Sequence, residues 1–128
     1  MGYSVNYCIT QIRGINHNLK FLKEDLTKLN SLKQGLGEAD SMTYGVTSSL
    51  NSALESINYA RGSQAARNFS AKCEDIQAQY NTWKSSLSSI MSSITSAIGT
   101  VTTRISESER ELRIWERYLD LAKREENE

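Results

Sequence analysis

The stretch 5–29, VNYCITQIRGINHNLKFLKEDLTKL, decides the class of fold. Its apolar residues fall at Val5, Cys8, Ile12, Ile15, Leu19, Leu22, Leu26 and Leu29, in alternating steps of three and four. That spacing lines all eight side chains along one stripe of a helix, whereas strand side chains alternate every second residue and cannot produce it. Between the stripe positions stand mostly Asn, Gln, Lys, Glu and Asp, as on a face turned to water. The spacing predicts a first helix over about 4–33.

Working outward, Gly35-Leu36-Gly37 is the first interruption. Each glycine costs a helix roughly 1 kcal/mol relative to alanine, so the pair marks a break or a kink. Asp40 or Ser41 is the expected cap of the next helix, because a short polar side chain accepts hydrogen bonds from the orphan amides at a helix start. The stripe resumes at Val46, Leu50, Ala53, Ile57 and Ala60, widened by Leu54, which predicts a second helix over about 40–61. After Gly62-Ser63 it restarts at Phe69, Cys73, Ile76, Tyr80, Trp83, Leu87, Ile90, Ile94, Ala97 and Val101. The next step is four to Ile105, followed by Ser108, Leu112, Trp115, Leu119 and Ala122. The eleven-residue interval from Ile94 to Ile105 reads as a stutter, which locally unwinds a left-handed supercoil. A third helix is expected over about 64–124.

The chain contains no proline, so long uninterrupted helices are permitted throughout. At 128 residues it is one domain by size. The expected fold is all-α: a long antiparallel helical hairpin, coiled-coil-like, kinked in its first arm near Gly35 and Gly37, with matched arms that leave neither overhanging. The alternative, if the glycines form a full turn, is a three-helix bundle. Cys8 and Cys73 both fall on the apolar stripe and read as buried free thiols.

A two-helix rod leaves its seam partly wet, and further apolar residues lie beside the stripe at Ile9, Leu32, Leu54, Met91, Ile98, Ile114 and Tyr118. Such flanking positions widen an apolar face beyond what one opposing helix covers. A helical partner or a copy of the chain is the natural cover. The segment 85–103, SSLSSIMSSITSAIGTVTT, carries no charge, which lowers the desolvation cost of burying it. Candidate partner-binding residues are Trp83, Leu87, Ile90, Met91, Ile94, Ile98 and Trp115, the two tryptophans as aromatic anchors.

Other functions find little support. Fifteen basic and fifteen acidic residues balance, so no global field draws nucleic acid or an anionic membrane. There is no run of about 20 apolar residues to span a membrane, and the first residues lack the basic and apolar regions of a Sec leader. A metal site or a catalytic triad needs clustered ligands, yet there is a single histidine, His17, off the stripe. Neither the GxxxxGK nor the GxGxxG spacing occurs, so no nucleotide cofactor is indicated. The reading is a non-enzymatic binding protein without cofactor or metal.

The segment 59–69, YARGSQAARNF, resembles the turn of the WXG superfamily, small helical hairpins handled by type VII secretion systems. Gly62, Ala65, Ala66 and Phe69 match its hairpin-turn pattern, while Ala60 stands at the tryptophan position and Tyr59 is the nearest aromatic. Length, long arms and absence of proline look like the YwqH-like partners of LXG-domain toxins. The resemblance implies a chaperone and targeting factor that binds the helical LXG domain of a toxin, with or without a second small helical protein. It also implies a cytoplasmic protein, or one co-secreted with its partner. The aromatic-to-acid spacing of type VII signals is absent near the C-terminus, where Tyr118 is followed by Ala122 and Trp115 by Leu119; Phe21 and Asp25 have it on the first helix.

Overall fold

The computed structural model of the chain describes residues 2–57 and 64–128. Two helices make up nearly all of it: α1, Val5–Ile57, and α2, Gln64–Asn127. Helix α1 opens on a polar cap, the Tyr7 amide donating to Ser4 Oγ at 3.1 Å. Helix α2 carries Arg124 in its last turn, where a cation favours the negative end of the helix dipole. Described residues of the fold are all-α. The turn residue Gly62 lies outside them, with Tyr59, Ala60, Arg61 and Ser63.

The chain divides into two compact units: unit 1, Met1–Ser31 with Thr95–Glu128, and unit 2, Leu32–Ile94. In each, a stretch of α1 packs against a stretch of α2 as in an antiparallel helical hairpin. In unit 1 the Tyr3 ring lies 4.9 Å from that of Trp115 and 5.5 Å from that of Tyr118, and Lys23 Nζ lies 3.9 Å from Glu109 Oε1. In unit 2, Gln77 Nε2 donates to Asn51 Oδ1.

Burial shows which residues form the seam, lettered as heptads abcdefg with a and d facing the opposite helix. In unit 1 the α1 seam is the one expected: Cys8, Ile15 and Leu19 are buried, and Val5, Ile12, Leu22, Leu26 and Leu29 half-buried. Facing it on α2 are Ile98, Val101, Ile105, Ser108, Leu112, Trp115, Leu119 and Ala122, all buried or half-buried. The expected stutter does not arise. Ile98 occupies the seam between Ile94 and Val101, and the steps of three and four continue unbroken.

Unit 2 departs further from expectation. Its seam runs through Leu36, Asp40, Thr43, Thr47, Leu50 and Leu54 on α1, and Ala66, Ser70, Cys73, Gln77, Tyr80, Leu87, Met91 and Ile94 on α2. Val46, expected in the seam, is 59% exposed, and Phe69, Ile76, Trp83 and Ile90 are exposed as well. The cause is polar occupancy. On both helices the heptad register of unit 1 carries straight into unit 2, where its a and d positions fall on Asp40, Thr43, Thr47, Ser70 and Gln77. An apolar-only reading steps over these to the neighbouring stripe.

In place of the separate helices expected over 4–33 and 40–61, the described residues form one helix, Val5–Ile57, with Gly35, Leu36 and Gly37 inside it. Asp40 and Ser41 are therefore interior residues rather than caps, and Ser41 Oγ donates to the Gly37 carbonyl at 3.2 Å. Two glycines penalise the helix by about 2 kcal/mol together, which the half-buried Leu36 and flanking seam offset. A Cβ built on either glycine meets nothing within 4 Å. Gly35→Ala and Gly37→Ala should each stabilise by about 0.5–1 kcal/mol, read as a raised urea midpoint.

Candidate partner-binding flank

Antiparallel packing decides which side chains share a flank. Lys23 and Glu109 both occupy e, so in unit 1 one flank joins e to e, and the opposite flank then joins g to g. The same lettering in unit 2 puts Leu32, Ala39, Val46 and Ala53 at g on α1, and Phe69, Ile76, Trp83 and Ile90 at g on α2. All eight are apolar. Starting from the Asn51 to Gln77 hydrogen bond and moving away from it along both helices, Val46 comes about level with Trp83, and Ala39 with Ile90.

The result is one broad apolar flank within unit 2, about 30 Å long from Phe69 to Ile90 at 1.5 Å per residue. Leu32 is 52% exposed, Ile90 48% and Ile76 43%. Beyond the stripes, the c positions hold Gly35, Met42 and Ser49 on α1 and Lys72, Gln79 and Ser86 on α2, small or uncharged apart from Lys72. Small rims let another helix approach closely, and an uncharged one is cheap to desolvate. By contrast, g in unit 1 holds Gln11, Asn18, Asp25, Arg104 and Glu111 beside Ala97 and Tyr118.

The residues singled out from sequence separate accordingly. Trp83 and Ile90 lie exposed on the flank. Leu87 and Ile94 are buried in the seam at d, with Met91 and Ile98 half-buried at a. Trp115 is half-buried in an aromatic cluster of unit 1, its ring 5.5 Å from Tyr7 and 5.3 Å from Tyr118. Of the turn pattern, Ala66 is buried, Ala65 and Phe69 are exposed, and Gly62 lies outside the described residues. Val46 and Leu32 are the flank residues hardest to find from sequence. Apolar spacing puts the first in the wrong stripe, and the second reads as one flanking residue among seven, tied to Val46 only when the register of α1 is carried past Leu29.

The seam beneath this flank is imperfect. Asp40 Oδ1 and Tyr80 OH are buried without a hydrogen-bond partner among the described residues, and Lys84 Nζ sits 5.7 Å from the centre of the Tyr80 ring. An unsatisfied buried oxygen costs about 1–3 kcal/mol. Asp40→Leu should therefore stabilise the chain by about 1–3 kcal/mol, raising the urea midpoint without changing helical ellipticity.

In unit 1, Phe21 and Asp25 line one shallow groove with Asn18, Leu22, Arg104 and Glu107, so the pair shares a flank. Cys8 and Cys73 are buried free thiols. Among the described residues there is no group of three or more His, Cys, Asp or Glu placed to hold a metal, and no helix long and apolar enough to cross a membrane. No family model, no curated protein and no solved structure matches the chain.

Proposed function

We propose that the chain is a non-enzymatic binding protein that holds a helical partner along the g flank of unit 2. The observation that carries this reading is the displacement of apolar residues from seam to flank between Leu32 and Ile90: Leu32, Val46, Phe69, Ile76, Trp83 and Ile90 are all exposed. Covering them with amphipathic helices hides large apolar side chains at the cost of few charges. The likeness of 59–69 to the WXG turn, with the length and the long proline-free arms, supports the helical LXG domain of a toxin as that partner and a role as chaperone and targeting factor for type VII secretion. Phe21 and Asp25, exposed on one flank of unit 1, remain outside that surface.

A second reading, self-association, draws on the α1 stripe. Leu32, Ala39, Val46 and Ala53 alternate large and small, so an antiparallel copy sets Leu32 against Ala53 and Ala39 against Val46. Light scattering of the purified chain, alone and after co-expression with an LXG domain, separates the two. A heteromeric complex of defined mass supports the first, and a discrete homo-oligomer indifferent to the LXG domain supports the second.

A further inference from the structure

Two seams compete within unit 2. The observed one uses a and d. Its a positions are Lys33, Asp40, Thr47 and Leu54 on α1 and Ser70, Gln77, Lys84 and Met91 on α2, six of the eight polar. The d and g positions alternate by three and four equally well: Leu36, Ala39, Thr43, Val46, Leu50 and Ala53 on α1, and Phe69, Cys73, Ile76, Tyr80, Trp83, Leu87, Ile90 and Ile94 on α2. A seam on d and g would exchange the half-buried Asp40, Thr47, Ser70 and Gln77, together with Leu54 and Met91, for the apolar g residues while keeping every d residue inside. Adjacent helix positions lie about 100° apart, so moving the seam centre from a and d to d and g takes a turn of about 50° about each axis.

We infer that the two helices of unit 2 exchange between the observed a and d seam and a second seam on d and g, rotating about their own axes so that the g stripe turns inward. Three observations bear on it. The buried Asp40 oxygen without a partner weakens the observed seam, and the turn returns it to water. The exposed Trp83, Ile76, Ile90 and Val46 gain an apolar partner by the same motion. Unit 1 offers no second choice, because its g positions include Asn18, Asp25, Arg104 and Glu111. The eleven-residue interval from Ile94 to Ile105 is the phase change that α2 needs to join a d and g seam to the a and d seam. On α1 the change falls between Leu29 and Leu36, beside Gly35, which meets nothing on the opposite helix and adapts to altered twist. A partner on the flank and the turned seam use the same side chains, so the two compete for the g stripe.

The native Cys73 supplies the test. Ala53 at g and Cys73 at d lie on one flank of the observed seam, and Asn51 at e and Gln77 at a lie on the other, where they share a hydrogen bond. A turn that brings g inward shortens the first diagonal and lengthens the second. With Cys8→Ala as background, Ala53→Cys is oxidised in a glutathione buffer beside native Cys73, and its rate compared with Asn51→Cys plus Gln77→Cys carrying Cys73→Ala. Exchange predicts disulfide closure at least tenfold faster for the Ala53→Cys chain. Equal rates, faster closure of the second pair, or no closure in either overturns the proposal. Should these variants lose helical ellipticity, Trp83 provides the reading in Trp115→Phe. Adding Gln77→Leu and Lys84→Leu favours the observed seam and should shift Trp83 emission several nanometres to longer wavelength, and unchanged emission overturns the proposal. Both measurements use the chain alone, so their failure leaves the partner reading standing.

Discussion

Leu19→Ala should cost the chain about 2–5 kcal/mol, whereas Phe21→Ala, two residues away and removing a larger side chain, should change stability by less than about 0.5 kcal/mol. Leu19 is 5% exposed in the seam of unit 1, and Phe21 is 51% exposed. Removing Leu19 leaves a void bounded by α2 near Ser108 and Leu112, two helices being too stiff to collapse around it. Phe21 loses an edge contact with His17, whose ring lies 4.7 Å away, and little else. Urea denaturation followed by ellipticity at 222 nm reads both. Equal losses would mean that Phe21 is covered in solution, placing a contact on the c flank of unit 1.

The contrast shows where apolar spacing is a guide to burial and where it misleads. In unit 1 the a and d positions are apolar almost without exception, so hydrophobic spacing and seam coincide from Cys8 to Leu29 and from Ile98 to Ala122. In unit 2 they part company. There Asp40, Thr47 and Gln77 hold seam positions, while Val46, Ile76 and Trp83 hold the flank. A pattern that equates apolar with buried follows d and g, and must then invent a stutter at Ile94 to rejoin unit 1. The seam is instead set by register, propagated along each helix from the stretch where apolar residues leave no choice. Gly35 and Gly37 mislead for a related reason. Their local penalty is about 2 kcal/mol, and the packing of neighbouring seam residues outweighs it. The candidate surface is legible only in part: Trp83 and Ile90 stand out as large apolar residues near an uncharged segment, but separating them from Leu87 and Ile94 requires burial.

That separation makes the largest expected effect on binding. Trp83→Asp with Ile90→Asp should weaken the complex with an LXG domain at least 100-fold, about 2.7 kcal/mol or more, while the isolated chain keeps its helical ellipticity and its unfolding midpoint. Both side chains project from the flank, so a carboxylate there is solvated in the free chain and is forced out of water only when a partner covers it. Leu87→Asp, between them in sequence and 6% exposed, sets the opposite pattern: it places the charge inside the seam and should unfold unit 2 whether or not a partner is present. Isothermal titration against the LXG domain, paired with circular dichroism of each variant, distinguishes the cases. Retained binding by the Trp83→Asp, Ile90→Asp chain would move the partner off this flank. Loss of its helicity would mean instead that the g stripe is already packed inside the free chain, the state the second seam describes.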